Sequence, residues 1–95
     1  MTFEEFQTTL QLNTPPGTIN EELRALWLDG KGEWDAAHDL AQKIGGVNGA
    51  WIHAYLHREE GDNGNANYWY SKAGKSMPDS SLKEEWENLV KEFLK

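Results

Sequence analysis

The chain of 95 residues has no cysteine. That excludes a disulfide framework and fits a reducing compartment. Long apolar runs are missing too: none approaches the ~20 residues that a bilayer span requires. "MTFEEFQ" lacks the basic start and apolar stretch of a signal peptide. A soluble, cytoplasmic protein is the expectation. Basic residues are scarce, with nine Lys and Arg against sixteen Asp and Glu and a net charge of −7. They are scattered, so nucleic-acid binding through phosphate contacts is not expected. No Gly-x-Ser-x-Gly is present, and "GKGEW" and "GDNGN" lack the phosphate-loop pattern. Glu59 and Glu60 are adjacent rather than facing, so they do not make an acid/base pair. The sequence thus points away from an enzyme and nominates no catalytic residue and no cofactor.

Aromatic residues are what the chain does have. Five Trp, three Tyr and three Phe stand out in a chain that is only 38% hydrophobic. Large rings bury much area each, so a few can hold one small domain together. Glycine and proline punctuate the rest at "NTPPGT", "DGKG", "GGVNG", "GDNG" and "GKSMPDSS". Six helix-length segments lie between the breaks. Thr2 with Glu5, Thr18 with Glu21, and Ser81 with Glu84 have the spacing of capping boxes at three helix starts. Phe3, Phe6 and Leu10 share one face, as do Leu23, Leu26 and Trp27. So do Trp34, Ala37, Ala41 and Ile44; Ala66, Trp69, Tyr70 and Ala73; and Leu82, Trp86, Leu89, Val90 and Phe93. No segment shows strand alternation, so the chain is expected to be all-α.

Two of these segment pairs repeat. Gly32 precedes Ala37 as Gly61 precedes Ala66, a 29-residue offset, and each glycine falls between two helices. In the second unit Ala54, Gly61, Ala66, Tyr70, Ala73 and Pro78 follow a small–glycine–small–aromatic–small–proline order. In the first, Ala25, Gly32, Trp34 and Ala37 persist, with Ala41 in place of the aromatic and Gly49 in place of the proline. This pattern resembles the tetratricopeptide repeat, whose units are ~34 residues long. Small residues let antiparallel helices approach, and glycine supplies the turn. The resemblance implies a right-handed stack of two helical hairpins between N- and C-terminal capping helices. Its parts would be an N-terminal helix and loop at 1–17, hairpins at 18–46 and 47–78, and a capping helix at 79–95. "LWLDGKGEWDAAHDLAQ", "AWIHAYLHREEGD" and "ANYWYSKAG" together also look like a family of small uncharacterised bacterial proteins of about this length, which implies no particular activity.

Two sites compete. In tetratricopeptide repeats the first helix of each unit lines a concave groove. Here that implies Glu22, Leu26, Asp29, Asn48, Trp51, Tyr55 and Arg58, with Glu59 beside them. Such a groove would take a peptide or protein segment, a basic one suiting the acidic chain. Against this, Trp51 and Tyr55 belong equally well to a core, with Arg58 paired to an acidic neighbour. The other site is built on His53 and His57. Four apart, they lie on one side of a helix, a spacing that zinc sites use. His38 is the third ligand if the third and fourth helices pack together. Ala54 follows the first histidine where a zinc protease needs glutamate, so that chemistry is excluded. The alternative is three histidines packed at a helix interface. Tyr68 is the aromatic of "ANYWYSK" expected at the surface, with Trp69 and Tyr70 in the core. The expected function is a non-catalytic interaction module binding a peptide. The alternative is a metal- or small-ligand-binding protein, enzymatic or not, that uses the histidine cluster, and a third reading is self-association as a homodimer.

Overall fold

The computed structural model describes residues 1–95 and holds six helices and no strand. They are α1 (Phe3–Thr8), α2 (Glu21–Gly30), α3 (Trp34–Ile44), α4 (Gly46–Glu59), α5 (Asn63–Lys72) and α6 (Leu82–Leu94). A single 3-10 turn, Thr9–Gln11, extends α1. No helix is long and apolar enough to cross a membrane.

Two of the three expected capping boxes form. Thr2 with Glu5 starts α1 and Ser81 with Glu84 starts α6, each satisfying two orphan backbone donors. The third does not: Asn20, not Thr18, caps α2. Its Oδ1 accepts from the Leu23 amide at 2.8 Å, while its Nδ2 donates to the Phe93 carbonyl of α6 at 3.1 Å. One side chain thus closes the start of α2 and fastens it to the end of the chain, which a local pattern does not reveal. A second difference concerns "GGVNG". The break is only Gly45–Gly46, and α4 begins at Gly46. Gly32 and Gly61, at φ 82° and 86°, turn α2 into α3 and α4 into α5 as the glycine spacing predicts.

α2 packs on α3 and α4 on α5. α3 and α4 also meet directly, and α6 lies over both α2 and α4. The main core joins Phe6, Leu23, Leu26, Trp27, Ile52, Tyr55, Leu56, Leu89 and Val90, all buried. Ala54, Ala66 and Tyr70 form a second cluster where α4 meets α5. Buried Trp27 and half-buried Trp34 and Trp86 find acceptors: Trp27 Nε1 donates to the Thr9 carbonyl, Trp34 Nε1 to that of Leu56 and Trp86 Nε1 to that of Leu26. Phe3 and Phe6 rest on Trp86, which holds α1 to α6.

Gly49 sets how closely α3 and α4 approach. A Cβ there would lie 2.7 Å from the Ala41 carbonyl oxygen and 3.3 Å from the Ile44 carbonyl carbon. Both obstacles are backbone, so a side chain would push the helices apart.

Candidate metal centre

That close approach brings His38 of α3 against His53 and His57 of α4. One ring nitrogen from each of the three lies within 4.8 Å of the other two. Ring centres are 4.4 Å apart for His38 and His53, 5.2 Å for His38 and His57, and 4.8 Å for His53 and His57. Two indoles wall the cluster. Trp34 stacks on His38 at 4.9 Å and meets His57 edge-on, and Trp69 stacks on His53 at 3.9 Å. Trp69 is thus half-buried, packed both on imidazole and against the Ala54, Ala66 and Tyr70 cluster, while Tyr70 is buried and Tyr68 exposed, as its position predicts.

The three rings have different surroundings. His53 and His57 are buried and His38 is half-buried. Nδ1 of His57 lies 2.8 Å from Glu60 Oε1. That partnership leaves Nε2 to face the cluster, the arrangement by which carboxylates orient metal-binding imidazoles. No side-chain hydrogen bond of the structure engages His53. Burial, then the proximity of His38 and His57, pull its pKa from 6.5 down to about 4. A neutral imidazole with a free lone pair is the form that binds metal. Asp62 also lies close to His57 and Glu60 on the exposed rim. In the sequence Glu60 is weighed only against Glu59 and not as a partner of His57, although its position three residues after that histidine on a helix is a usable signal.

The residues expected to line a groove are dispersed. Leu26 and Tyr55 are buried in the core, and Asp29 is buried as well. Glu22 and Trp51 are half-buried and Asn48 is exposed; the three line a cavity of about 500 Å³ together with Lys75 and Phe93. Trp51 sits 5.6 Å from the Phe93 ring, and the Lys75 ammonium lies over its indole at 4.1 Å. Arg58 is turned to α6, where its Nη1 donates to Glu85 Oε1 at 2.7 Å and its Nη2 to the Ser80 carbonyl. Tyr70 Oη donates to the other oxygen of the same carboxylate. Sequence reading missed Glu85. Its signal was a charge four residues before Leu89, on the stripe that α6 buries.

No protein-family model, curated protein or solved structure matches the chain.

Proposed function

We propose that the protein binds a divalent transition metal of the zinc type through His38, His53 and His57. The observation that carries this reading is the convergence of three imidazole nitrogens within 4.8 Å on two helices. Three imidazoles on one tetrahedral zinc, at Zn–N distances of ~2.0–2.1 Å, have ring centres about 5 Å apart. The observed separations of 4.4 to 5.2 Å bracket that value. Small rotations of the rings bring the nitrogens to ligand distance. Glu60 then fixes His57, and the fourth position is left to water or a small ligand.

Zinc at a hundred times its Kd is expected to stabilise the fold by about 2.7 kcal/mol, since it binds the folded state alone. For a domain of this size that is a rise in Tm of roughly 10 °C or more. His53→Ala and His57→Ala abolish the rise, and Glu60→Ala weakens affinity about 10- to 100-fold. Gly49→Ala reduces it without touching a ligand, by moving α3 from α4. Metal analysis of the purified protein and a Tm series with zinc check this. A Tm indifferent to zinc, with no metal retained, leaves the histidines as packing alone.

A tetratricopeptide-like reading of the architecture accompanies this proposal. The pairs α2–α3 and α4–α5 are taken as two right-handed stacked hairpins, with α1 and α6 as caps. Buried Ala37, Ala54 and Ala66 and the turn glycines Gly32 and Gly61 support it. A second function, docking of a short peptide, is favoured by the cavity lined by Glu22, Asn48 and Trp51. Titration with a panel of short peptides checks it. Binding that is lost when Asn48 and Trp51 are both replaced by alanine supports the docking. Absence of binding, or binding that survives the double replacement, ends it.

A further inference from the structure

A different cavity, of about 350 Å³, opens between α2, α4 and α6, away from the histidines. Its lining combines apolar Leu10, Leu82 and Trp86 with acidic Asp29 and Glu59. The two carboxyl groups share this lining and are close enough to shift each other's ionisation. Neither takes part in any of the ion pairs of the structure, which join Arg24 to Glu21, His57 to Glu60, Arg58 to Glu85, Lys91 to Glu87 and Lys95 to Glu92. Lys83 borders the same cavity without pairing with either. Asp29 is only 8% exposed, an unusual place for a carboxyl group without a cationic partner.

Tyr55 supplies an independent indication. Its side chain is 3% exposed and lines this cavity, yet its hydroxyl makes no hydrogen bond with the protein. Arg24 Nε, 3.6 Å from Glu21 Oε1, is the one wholly buried polar side-chain atom without a hydrogen bond. The Tyr55 hydroxyl therefore keeps a path to solvent, and the cavity is that path. With no hydrogen-bond partner in the protein, this hydroxyl keeps its hydrogen-bonding capacity for a group that enters.

We infer that this cavity receives a guanidinium group, held by Asp29 and Glu59, with the Tyr55 hydroxyl beside them and the Trp86 indole as its stacking surface. The chemistry selects among cations. A divalent metal ion of the calcium or magnesium class needs six or more oxygens around it, and half of this wall is hydrocarbon. An ammonium group is compact and strongly hydrated, so an apolar wall costs it solvation. A guanidinium is weakly hydrated, planar and forked. It pairs with carboxylates through two donors while its face lies on an aromatic ring. Lys83 at the rim opposes entry of any cation.

The test is titration of the full chain with methylguanidinium at constant ionic strength, followed by amide and indole NMR shifts. A chelator is present throughout, so the result is independent of the histidine centre. Shifts are expected at Asp29, Glu59 and the Trp86 indole, saturating with one site. Methylammonium and magnesium should bind about tenfold more weakly or not at all. Asp29→Asn should weaken methylguanidinium about tenfold or more, the size of a lost charge-assisted hydrogen bond. Tyr55→Phe, which keeps the ring, should weaken it to a smaller extent, and Lys83→Ala should tighten it. If Asp29→Asn does not fold, Glu59→Gln reads the same loss. Equal responses to methylguanidinium and methylammonium, no saturable shift, or unchanged affinity in a folded Asp29→Asn variant would each overturn the inference.

Discussion

Glu85→Ala is expected to cost about 3–5 kcal/mol of stability, the range for breaking one side of a buried ion pair. Glu85 is 4% exposed, and its carboxylate is shared. One oxygen accepts from Arg58 at 2.7 Å and the other from the Tyr70 hydroxyl at 2.5 Å. Truncation leaves the guanidinium of Arg58, a side chain only 15% exposed, with the Ser80 carbonyl as its sole partner. It also strands the hydroxyl of Tyr70, which is 1% exposed. A domain of this kind has only ~5–15 kcal/mol in total, so Tm should fall by about 15 °C or more. Glu85→Gln keeps the shape and one acceptor, so its cost is smaller. Replacing Arg58 and Glu85 together by Met and Leu should recover much of the loss, because no charge is then left buried. Urea unfolding of the single and double variants checks this. A Glu85→Ala midpoint equal to the parent's would mean that α6 is held by its apolar face alone.

The second large effect is the acid-dependent loss of the His53 contribution to stability in the metal-free protein, expected between pH 6.5 and about 4. His53 in the folded chain has its pKa drawn down from 6.5 to about 4. Across that window the unfolded chain binds a proton at this position and the folded chain does not. Stability is therefore fully present above 6.5 and declines as pH falls. A shift of this size corresponds to at most about 3 kcal/mol before solvent screening reduces it. Asp29 and Glu59 act in the opposite sense. Burial raises both, with the neighbouring Asp29 adding to the rise of Glu59, so acid favours their folded form. Glu5 and Glu84 are held below the usual carboxylate range by their caps and lose their contribution only at lower pH. Comparison with His53→Phe isolates the histidine, because phenylalanine preserves a ring against Trp69 without titrating. Between pH 7 and 4.5 the urea midpoint of the parent should decline relative to that of the variant, in which the rise from Asp29 and Glu59 is left unopposed. Parallel slopes would show that His53 charges as readily in the fold as in the unfolded chain.

Both predictions depend on groups whose roles were unequally visible in the sequence. The boxes at Thr2–Glu5 and Ser81–Glu84 were legible because a cap and its partner lie three residues apart, and local geometry decides them. The same holds for the α6 stripe and for the shared face of His53 and His57, which one helical turn brings together. The all-α class follows from such spacings. The Asn20 cap was missed because Thr18–Glu21 offered an equal local pattern, and contact with Phe93, distant in sequence, favours the other.

What the sequence by itself determined, then, is the set of helices, their turns and their apolar faces, all properties of residues a few positions apart. Only the tertiary structure decided which faces meet. Gly49 lets α3 close on α4 and so brings His38 to His53 and His57. Glu85 ties α6 to Arg58 of α4 and Tyr70 of α5. Trp69 stacks on His53 because α5 folds back beside α4. These outcomes rest on close approach, desolvation and pairing between distant segments, and periodicity carries no record of them.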